Sequence, residues 1–359
     1  MHQFIKGYMN HISRKGVASM ILFPIAITTT MLANTISATS HDYGGSILAL
    51  RRHNGLAFCQ RRAYSSSSPK KSPLYEASSE SQHEAKIKSL ANQLADAKFK
   101  NIVVVVGAGA SVSAGIPDFR TPGTGLYDKL EKYNLPFPEA IFDLEYYRSN
   151  PKPFVDLCQS IWPGQAMGPK PTQAHMFLNL LQEKKCLRRI YTQNIDGLEA
   201  LAGVSTDFLV ECHGHFRSAS CIQCRCSVDS TSCRDAMLKG DVAHCKTCGS
   251  LVKPDIVFFG EELPMRFQQL IDLDTQECDL LIVMGTSLLV MPVAGIPSWV
   301  PKNCPRLLLN RELVGNFNIK DGSRDIFMKG DCDDSVKTVC ELAGWEKELE
   351  KLSSRKDVE

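Results

Sequence analysis

The chain has 359 residues, 43% of them hydrophobic, which allows one large domain with appendages or two domains. A formal net charge of +2 gives no bulk electrostatic argument for a nucleic-acid or membrane-surface partner. Fourteen cysteines in a chain this long do not make a secreted disulfide scaffold; they crowd between Cys212 and Cys248, as in a metal site kept in a reducing compartment.

The first 75 residues carry nine Lys or Arg against one acid, Asp42, and are rich in Ser, Thr and His. Basic, hydroxyl-rich and acid-poor composition describes a mitochondrial transit peptide. The run RRAYSSSS at 61–68 sets an Arg two residues before Tyr64, as a matrix-protease site would. The expectation is a leader over 1–64, a matrix location and no stable membrane association. The competing feature is Val17–Ala33, largely apolar behind Arg14 and Lys15, as a signal peptide or short anchor. It holds several hydroxyl or amide side chains and a proline, and is barely long enough for a bilayer helix. Residues 65–85, SSSSPKKSPLYEASSESQHEA, read as a flexible linker.

From about Lys86 the pattern turns globular. Ile87, Leu90, Leu94 and Ala97 recur at helical spacing and lead into Ile102–Val106, an unbroken β-branched run suited to a strand buried on both faces of a parallel sheet. It runs straight into Gly107, Gly109 and Gly115, with Ser111 and Ser113 between them. The first two glycines fit a dinucleotide-binding turn, but the third comes six residues after Gly109, not three, so this is not the usual fingerprint. Pro117, Asp118, Phe119 and Arg120 then interrupt the helix such a unit should have. They are either a solvated loop with Asp118 as a cap or a loop that folds over a bound nucleotide.

Residues 121–170, rich in proline and aromatics, look like a helical insertion whose aromatics are mostly core. Strand candidates return at Leu187–Thr192, Phe208–Val210, Leu280–Met284, Arg306–Leu309 and Ile326–Met328. Polar clusters follow each: Gln193–Asp196, His213-Gly214, Gly285–Ser287, Asn310-Arg311 and Gly330-Asp331. In a doubly wound parallel sheet these strand ends share one edge, where ligands bind. Residues 214–253 form a second insertion. There Cys221-x-x-Cys224 and Cys245-x-x-Cys248, twenty residues apart, supply a closed tetrahedral thiolate site for a structural zinc. Cys226 and Cys233 are surplus, either free thiols or, for Cys226, a competing ligand. The module lacks the basic, aromatic-interleaved face that a nucleic-acid partner needs. His213 is the side chain best suited to accept a hydroxyl proton near neutral pH, with His215 two residues away as its rival. Lys253–Glu261, KPDIVFFGE, is an extended apolar run able to pair with a peptide strand and wall an apolar tunnel.

Together GAGAS with GIPDFR, TQNIDGLE, HG, CxxC…CxxC, KPDIVFFGE, GTS and NRE resemble the sirtuin family, over about residues 86–345, and GIPDFR with VFFGE resembles its class I deacetylases. The resemblance implies an α/β fold, a Rossmann-like parallel-sheet domain with a smaller zinc-binding and helical domain formed by the two insertions, and a charged tail over 346–359. It implies that NAD is consumed as co-substrate by acetylated lysine-bearing proteins. The acetyl-lysine oxygen would attack the nicotinamide-bearing ribose carbon, and His213, with Asn194 and Asp196 as the other catalytic residues, would act as base on the ribose hydroxyl that attacks the resulting imidate. NAD would be held by Gly107, Ala108, Gly109, Ala110, Ser111, Asp118, Phe119, Arg120, Tyr127, Gln193, Asn194, Ile195 and Asp196. Its adenosine half would fall to Gly285, Thr286, Ser287, Asn310, Arg311, Glu312 and Cys332. Phe142, Ile195, Ile256, Val257 and Phe259 would line the substrate tunnel, with Gly260, Glu261 and Leu288–Val290 sandwiching the peptide as a third strand.

Ala110 departs from the family's usual Ile, Cys212 and His215 flank the base, and Leu289 and Met291 stand where acids are common. A hydride-transferring dehydrogenase would need a regular third glycine, and a zinc hydrolase an open metal position. Mono-ADP-ribosyl transfer and a non-catalytic NAD and zinc binding module remain as alternatives.

Overall fold

The computed structural model describes residues 73–354 apart from 119–124, 127–129, 131, 164–167 and 321–322, and apart from the side chains of 73–80. By its contacts the chain divides into Met1–Ser67 and Ser68–Glu359. The expected leader and Val17–Ala33 lie outside the described residues.

Every residue of β1 (Ile102–Val106) is fully buried, as a strand in mid-sheet with both faces covered must be. It pairs in parallel with β2 (Leu187–Thr192) on one side and β7 (Leu280–Met284) on the other. With β3 (Leu209–Glu211), β8 (Arg306–Asn310) and β9 (Asp325–Lys329) these make a six-stranded sheet ordered β3-β2-β1-β7-β8-β9, all parallel. This is the doubly wound order, and its switch point lies between β1 and β7.

Alternation along β1 serves two cores. Ile102, Val104 and Val106 pack with Ile282, Met284 and Leu307 under Leu90, Phe177, Val336 and Leu349, from the helices Pro73–Ala95, Gln173–Glu183, Cys332–Ala343 and Glu346–Ser354. Val103 and Val105 face the other way, with Leu281, Val283 and Tyr191, against Phe267 and Ile271 of the helix Met265–Gln276.

Two boundaries differ from expectation. Residues 73–85, expected within the linker, belong to the helix Pro73–Ala95, whose Leu90 and Leu94 are buried. The charged tail is a helix over Glu346–Ser354: Leu349 and Leu352 are buried and Lys184 Nζ donates to Glu348 Oε1 at 2.9 Å, so an apolar stripe of two leucines docks an otherwise charged segment.

The second body joins both insertions. β4 (Gly214–Cys221) lies between β5 (Ser227–Val228) and β6 (Val252–Ile256) in an antiparallel sheet. The helices Leu144–Ser149, Lys152–Ile161 and Ser230–Leu238 share its core. Phe154, Tyr147, Phe142 and Phe258 meet edge to face at centroid distances of 4.8–6.0 Å, a geometry that adds to the apolar burial of each ring. The 214–253 insertion thus runs on to Ile256, because β6 is the partner β4 needs.

At the switch point the turns after β1 and β7 interlock. Gly107 N–H donates to Met284 O at 3.0 Å, and Gly109 N–H to Gly285 O at 2.8 Å. A Cβ at Gly285, where φ is +62°, would sit 2.4 Å from Ala110 N, and one at Gly107 2.6 Å from Thr286 Cβ. Gly285→Ala is therefore expected to lose roughly 1–3 kcal/mol to left-handed strain and a further 1–3 to overpacking. Gly344→Ala, also at positive φ but with nothing within 4 Å of its Cβ, should lose only the strain. Equal losses of the two in urea denaturation would show that the interlock does not carry the difference.

Candidate active site and metal centre

A cavity of about 520 Å³ opens where the sheet edge meets the second body, within the roughly 300–1,000 Å³ of small-molecule sites. Its lining includes Gly107, Ala108, Gly109, Asp118, Gln193, Asn194, Ile195 and His213 from the β1, β2 and β3 ends. Gly285, Thr286, Ser287, Asn310, Arg311, Glu312 and Cys332 come from the β7, β8 and β9 ends, and Phe142, Ile256, Val257, Phe259, Gly260, Glu261 and Val290 close the opposite side. Expected residues from distant parts of the sequence thus meet around one volume. A side-chain-free glycine turn on the wall and a cavity of this size fit a dinucleotide.

Ala110, Ser111, Asp196 and Leu288 do not line it. Ala110 and Leu288 are packed into the cores on opposite faces of the sheet, Leu288 with a left-handed φ of +51°. The backbone at Leu288 is thus not extended, and a strand edge on that side would begin after it. Ser111 and Asp196 stand behind the wall: the Ser111 hydroxyl donates to Asp196 Oδ2 at 2.7 Å, and Asn194 Nδ2 donates to Ser111 Oγ at 3.3 Å and Gly107 O at 3.2 Å. Asp196 therefore braces the Asn194 side chain and the first glycine. Phe119, Arg120 and Tyr127 lie outside the described residues.

His213 follows β3 and enters β4 at Gly214. Its Nδ1 is 2.9 Å from Gln193 O. A carbonyl only accepts, so Nδ1 carries the proton and Nε2 keeps the lone pair. Burial holds the imidazole below its ordinary pKa, opposed by the Gln193 bond, so it is neutral at pH 7. His215, the rival, does not line the cavity. His213 is tied to the opposite wall through its backbone: Val257 N–H donates to His213 O at 2.8 Å.

The wall beyond Val257 is built on a buried lysine. Lys253 Nζ donates to Ile256 O at 2.6 Å and to Glu261 Oε2 at 2.8 Å, and Glu261 also accepts Phe258 N–H at 2.9 Å. Phe258 is turned into the core while Phe259 is 43% exposed at the mouth. Val112, Leu263, Met291 and Val314 also line the cavity; as single apolar residues in loops or short turns they leave no periodic trace in the sequence. Gln193 Nε2 donates to Thr286 Oγ1 at 2.9 Å and spans the switch point. Arg311 Nε pairs with Asp331 Oδ1 at 2.6 Å beside Cys332.

In the second body Cys221, Cys224, Cys245 and Cys248 bring their sulfurs within 4.8 Å of one another. Tetrahedral thiolates at about 2.3 Å from zinc lie roughly 3.8 Å apart; Cys221 and Cys248 are 3.5 Å apart and Cys224 and Cys245 3.7 Å. Gln223 N–H and Thr247 N–H point at Cys221 and Cys245, each at 3.4 Å, as donors to thiolates. The four fit one structural zinc. Cys226 lies 3.2 Å from Cys224 and 3.4 Å from Cys245, so a fifth sulfur borders the site, whereas Cys233 is buried in the core.

Residues 107–292 match the model of the Sir2 family. The chain is 47% identical over 272 residues to the NAD-dependent protein deacetylase hst2 of Schizosaccharomyces pombe, covering 76% of this chain and 80% of that protein. It is 45% identical over 289 residues to NAD-dependent protein deacetylase sirtuin-2 of Danio rerio, covering 76% of each. Against NAD-dependent protein deacetylase sirtuin-3 of Mus musculus it is 46% identical over 254 residues, 71% of this chain and 75% of that protein.

Cys221→Ser is expected to abolish stoichiometric zinc and lower the melting temperature, since losing a ligand removes folding free energy directly. Metal analysis beside a thermal melt checks this. A chelated, zinc-free sample with an unchanged melt would rule out a structural role.

Proposed function

The chain belongs to the Sir2 family and is an NAD-dependent protein deacetylase, and we propose that it moves the acetyl group of acetyl-lysine to the ADP-ribose part of NAD⁺, with His213 as general base. The observation that supports this assignment most is the tautomer of His213, a neutral imidazole on the cavity wall whose free nitrogen is Nε2. In the proposed reaction the acetyl-lysine oxygen displaces nicotinamide from the ribose. His213 Nε2 then takes the proton of a ribose hydroxyl as that hydroxyl attacks the acetyl carbon. The lysine amine then leaves that carbon, and one water adds to the bridged acyl group and opens it, so that lysine and O-acetyl-ADP-ribose result.

The other residues position. Glycines at 107 and 109 let the diphosphate approach the backbone, and Gln193 and Asn194 face the ribose and nicotinamide. Asp196 acts through Ser111 and Asn194. Thr286, Ser287, Asn310, Arg311, Glu312 and Cys332 are assigned to the adenosine half. Val257 offers its carbonyl to the substrate amide, its own N–H being engaged by His213. Ile195, Ile256, Phe142 and Phe259 form the apolar channel for the lysine stem, which favours the chain only once its charge is removed by acetylation. Zinc, when bound, supplies folding energy to the second body and has no part at the reacting atoms, because four thiolates leave no open position.

The substrates are proteins bearing acetyl-lysine. We further propose a matrix location, supported by the acid-poor N-terminus, where Arg14, Lys15, Arg51, Arg52, Arg61 and Arg62 accompany one acid within 1–64. A negative-inside potential acts on such charges with about 2.3 kcal/mol per charge per 100 mV. Relatives with different names match at nearly equal identity, so the location rests on that composition and not on them. Among the described residues no helix is long and apolar enough to cross a membrane.

His213→Ala is expected to lower deacetylation about 10²–10⁴-fold while NAD⁺ binding is largely kept; His215→Ala should stay active. An inert His215 variant beside an active His213 variant would reverse the assignment. Because the protonated imidazole cannot accept a proton and burial lowers its pKa, the acid limb of kcat/KM should have its midpoint below the ordinary value of about 6.5. For the location, terminal sequencing of protein recovered from cells should find Ser65 first; an intact Met1 would overturn the leader.

A further inference from the structure

Beneath the cavity floor lies a second group of titratable side chains, drawn from three elements. His175 is in the first turn of the helix Gln173–Glu183, Asp196 follows β2, and Glu199 is on the short helix Leu198–Leu201. One ligand atom from each lies within 4.8 Å of the others. His175 is 0% exposed and Glu199 1%.

Their hydrogen bonds leave one gap. His175 Nδ1 accepts Thr172 N–H at 3.2 Å, which puts the ring proton on Nε2, and Nε2 has no partner among the described residues. Asp196 accepts twice, from Leu198 N–H at 3.0 Å and the Ser111 hydroxyl at 2.7 Å. Glu199 accepts the Thr192 hydroxyl. Among the described residues no lysine or arginine bonds to either carboxylate. Glu199, fully buried beside the half-buried Asp196 carboxylate and without a cation, resists ionisation.

Glu199 is the one that keeps a proton: burial, then the Asp196 charge, pushes its carboxyl up to about 8, with the Thr192 bond opposing. Asp196 carries two donors on its oxygens, the Ser111 hydroxyl and Leu198 N–H. The other groups facing the cluster do not supply a cation. Asp333 faces His175 and is held by Ala174 N–H and the Ser113 hydroxyl. Glu211 faces Glu199 and is paired with Arg217, and the buried Cys212 thiol lies beside Glu199.

We propose that His175 and Glu199 are positioning residues packed beside Asp196, and that a Glu199 carboxyl which keeps its own proton leaves Asp196 undisturbed on Ser111 and so fixes Asn194 and the Gly107 turn for the nicotinamide end of NAD⁺. The proposal rests on the deacetylase reading and adds residues to it that never touch substrate. Below pH 8 Glu199 is protonated and the chain of bonds is intact. Above it a second anion appears, Asp196 is repelled, and the Ser111 and Asn194 contacts loosen.

Calorimetric titration of the zinc-loaded chain with NAD⁺ from pH 6.5 to 9.5 tests this, using wild type, Glu199→Gln and His175→Gln. Gln at 199 keeps a hydrogen-bonding side chain that does not ionise. Gln at 175 keeps the capping box with Thr172 and removes the imidazole nitrogen from the gap. Wild type is expected to lose affinity on the order of tenfold toward pH 9.5, the worth of one pKa unit of coupling. Glu199→Gln should be flat, and His175→Gln should move the limb to higher pH because the imidazole N–H within 4.8 Å of both carboxylates is gone. Parallel wild-type and Glu199→Gln profiles would overturn the proposal. So would a second equivalent of metal that both variants lose, which would make the gap a cation site. If wild type does not bind NAD⁺ at pH 7, the deacetylase reading itself falls, and this proposal with it. Should Glu199→Gln not fold by circular dichroism, a ¹³C-glutamate NMR titration of wild type decides: a carboxyl titrating near pH 8 supports the proposal, and none doing so overturns it.

Discussion

The constraint on which the cavity depends is the contact of two turns. Gly107 and Gly109 leave β1 against Gly285 leaving β7, with backbone hydrogen bonds of 3.0 and 2.8 Å and no room for a Cβ on either side. Strand order makes this point a crevice, and the interlock decides how wide it is. The glycines serve the protein's own backbone before they serve a ligand. This also accounts for the spacing of the third glycine. Ala108–Ala114 form a 3₁₀ helix that ends at Gly115, where φ is +85°, so the residue that closes the turn is a terminator and not a helix-packing glycine.

The geometry around His213 then follows from backbone carbonyls more than from side-chain partners. Gln193 O sets the tautomer of His213, and His213 O takes Val257 N–H, so the proposed base and the opposite cavity wall are joined through one residue. The next residue explains the His-Gly pair. Gly214, at φ +76°, lets Asp255 O come to where a Cβ would be 1.9 Å away. That approach seats β6 against β4 and brings the Val257–Phe259 segment to the base. Zinc stabilises the far end of the same antiparallel sheet, since β4 ends on Cys221.

Much of this was legible in the sequence because buried parallel strands have a continuous apolar signature. β1, β2 and β7 fall on the residues expected, and the thiolate pairs have a spacing that few other structures use. The edge strands β3 and β9 differ by about a residue at their ends, which are set by pairing and not by hydrophobicity. The helix Glu346–Ser354 was hidden, its leucines at 349 and 352 being outnumbered by charges. Proximity across the chain was illegible in another way. Nothing in the local pattern around His175 or Glu199 says that Asp196 lies between them, because topology alone brings a helix start, a loop and a short helix under one turn.

The site is thus layered: residues that line the cavity, then a bonded row of Ser111 and Asp196 behind it, then buried groups that bond only to protein. Asn194 is 6% exposed and Ser111 0%, so neither is free to relax into water if its partner moves. In such surroundings an unmet hydrogen bond costs about 1–3 kcal/mol, comparable to the energy by which a bound substrate must be held in register. Precision at this wall of the cavity is therefore set one layer below its surface. Ala110 belongs to that lower layer: it is buried in the core beneath the turn, and its small side chain fills a packing position there without shaping the cavity wall.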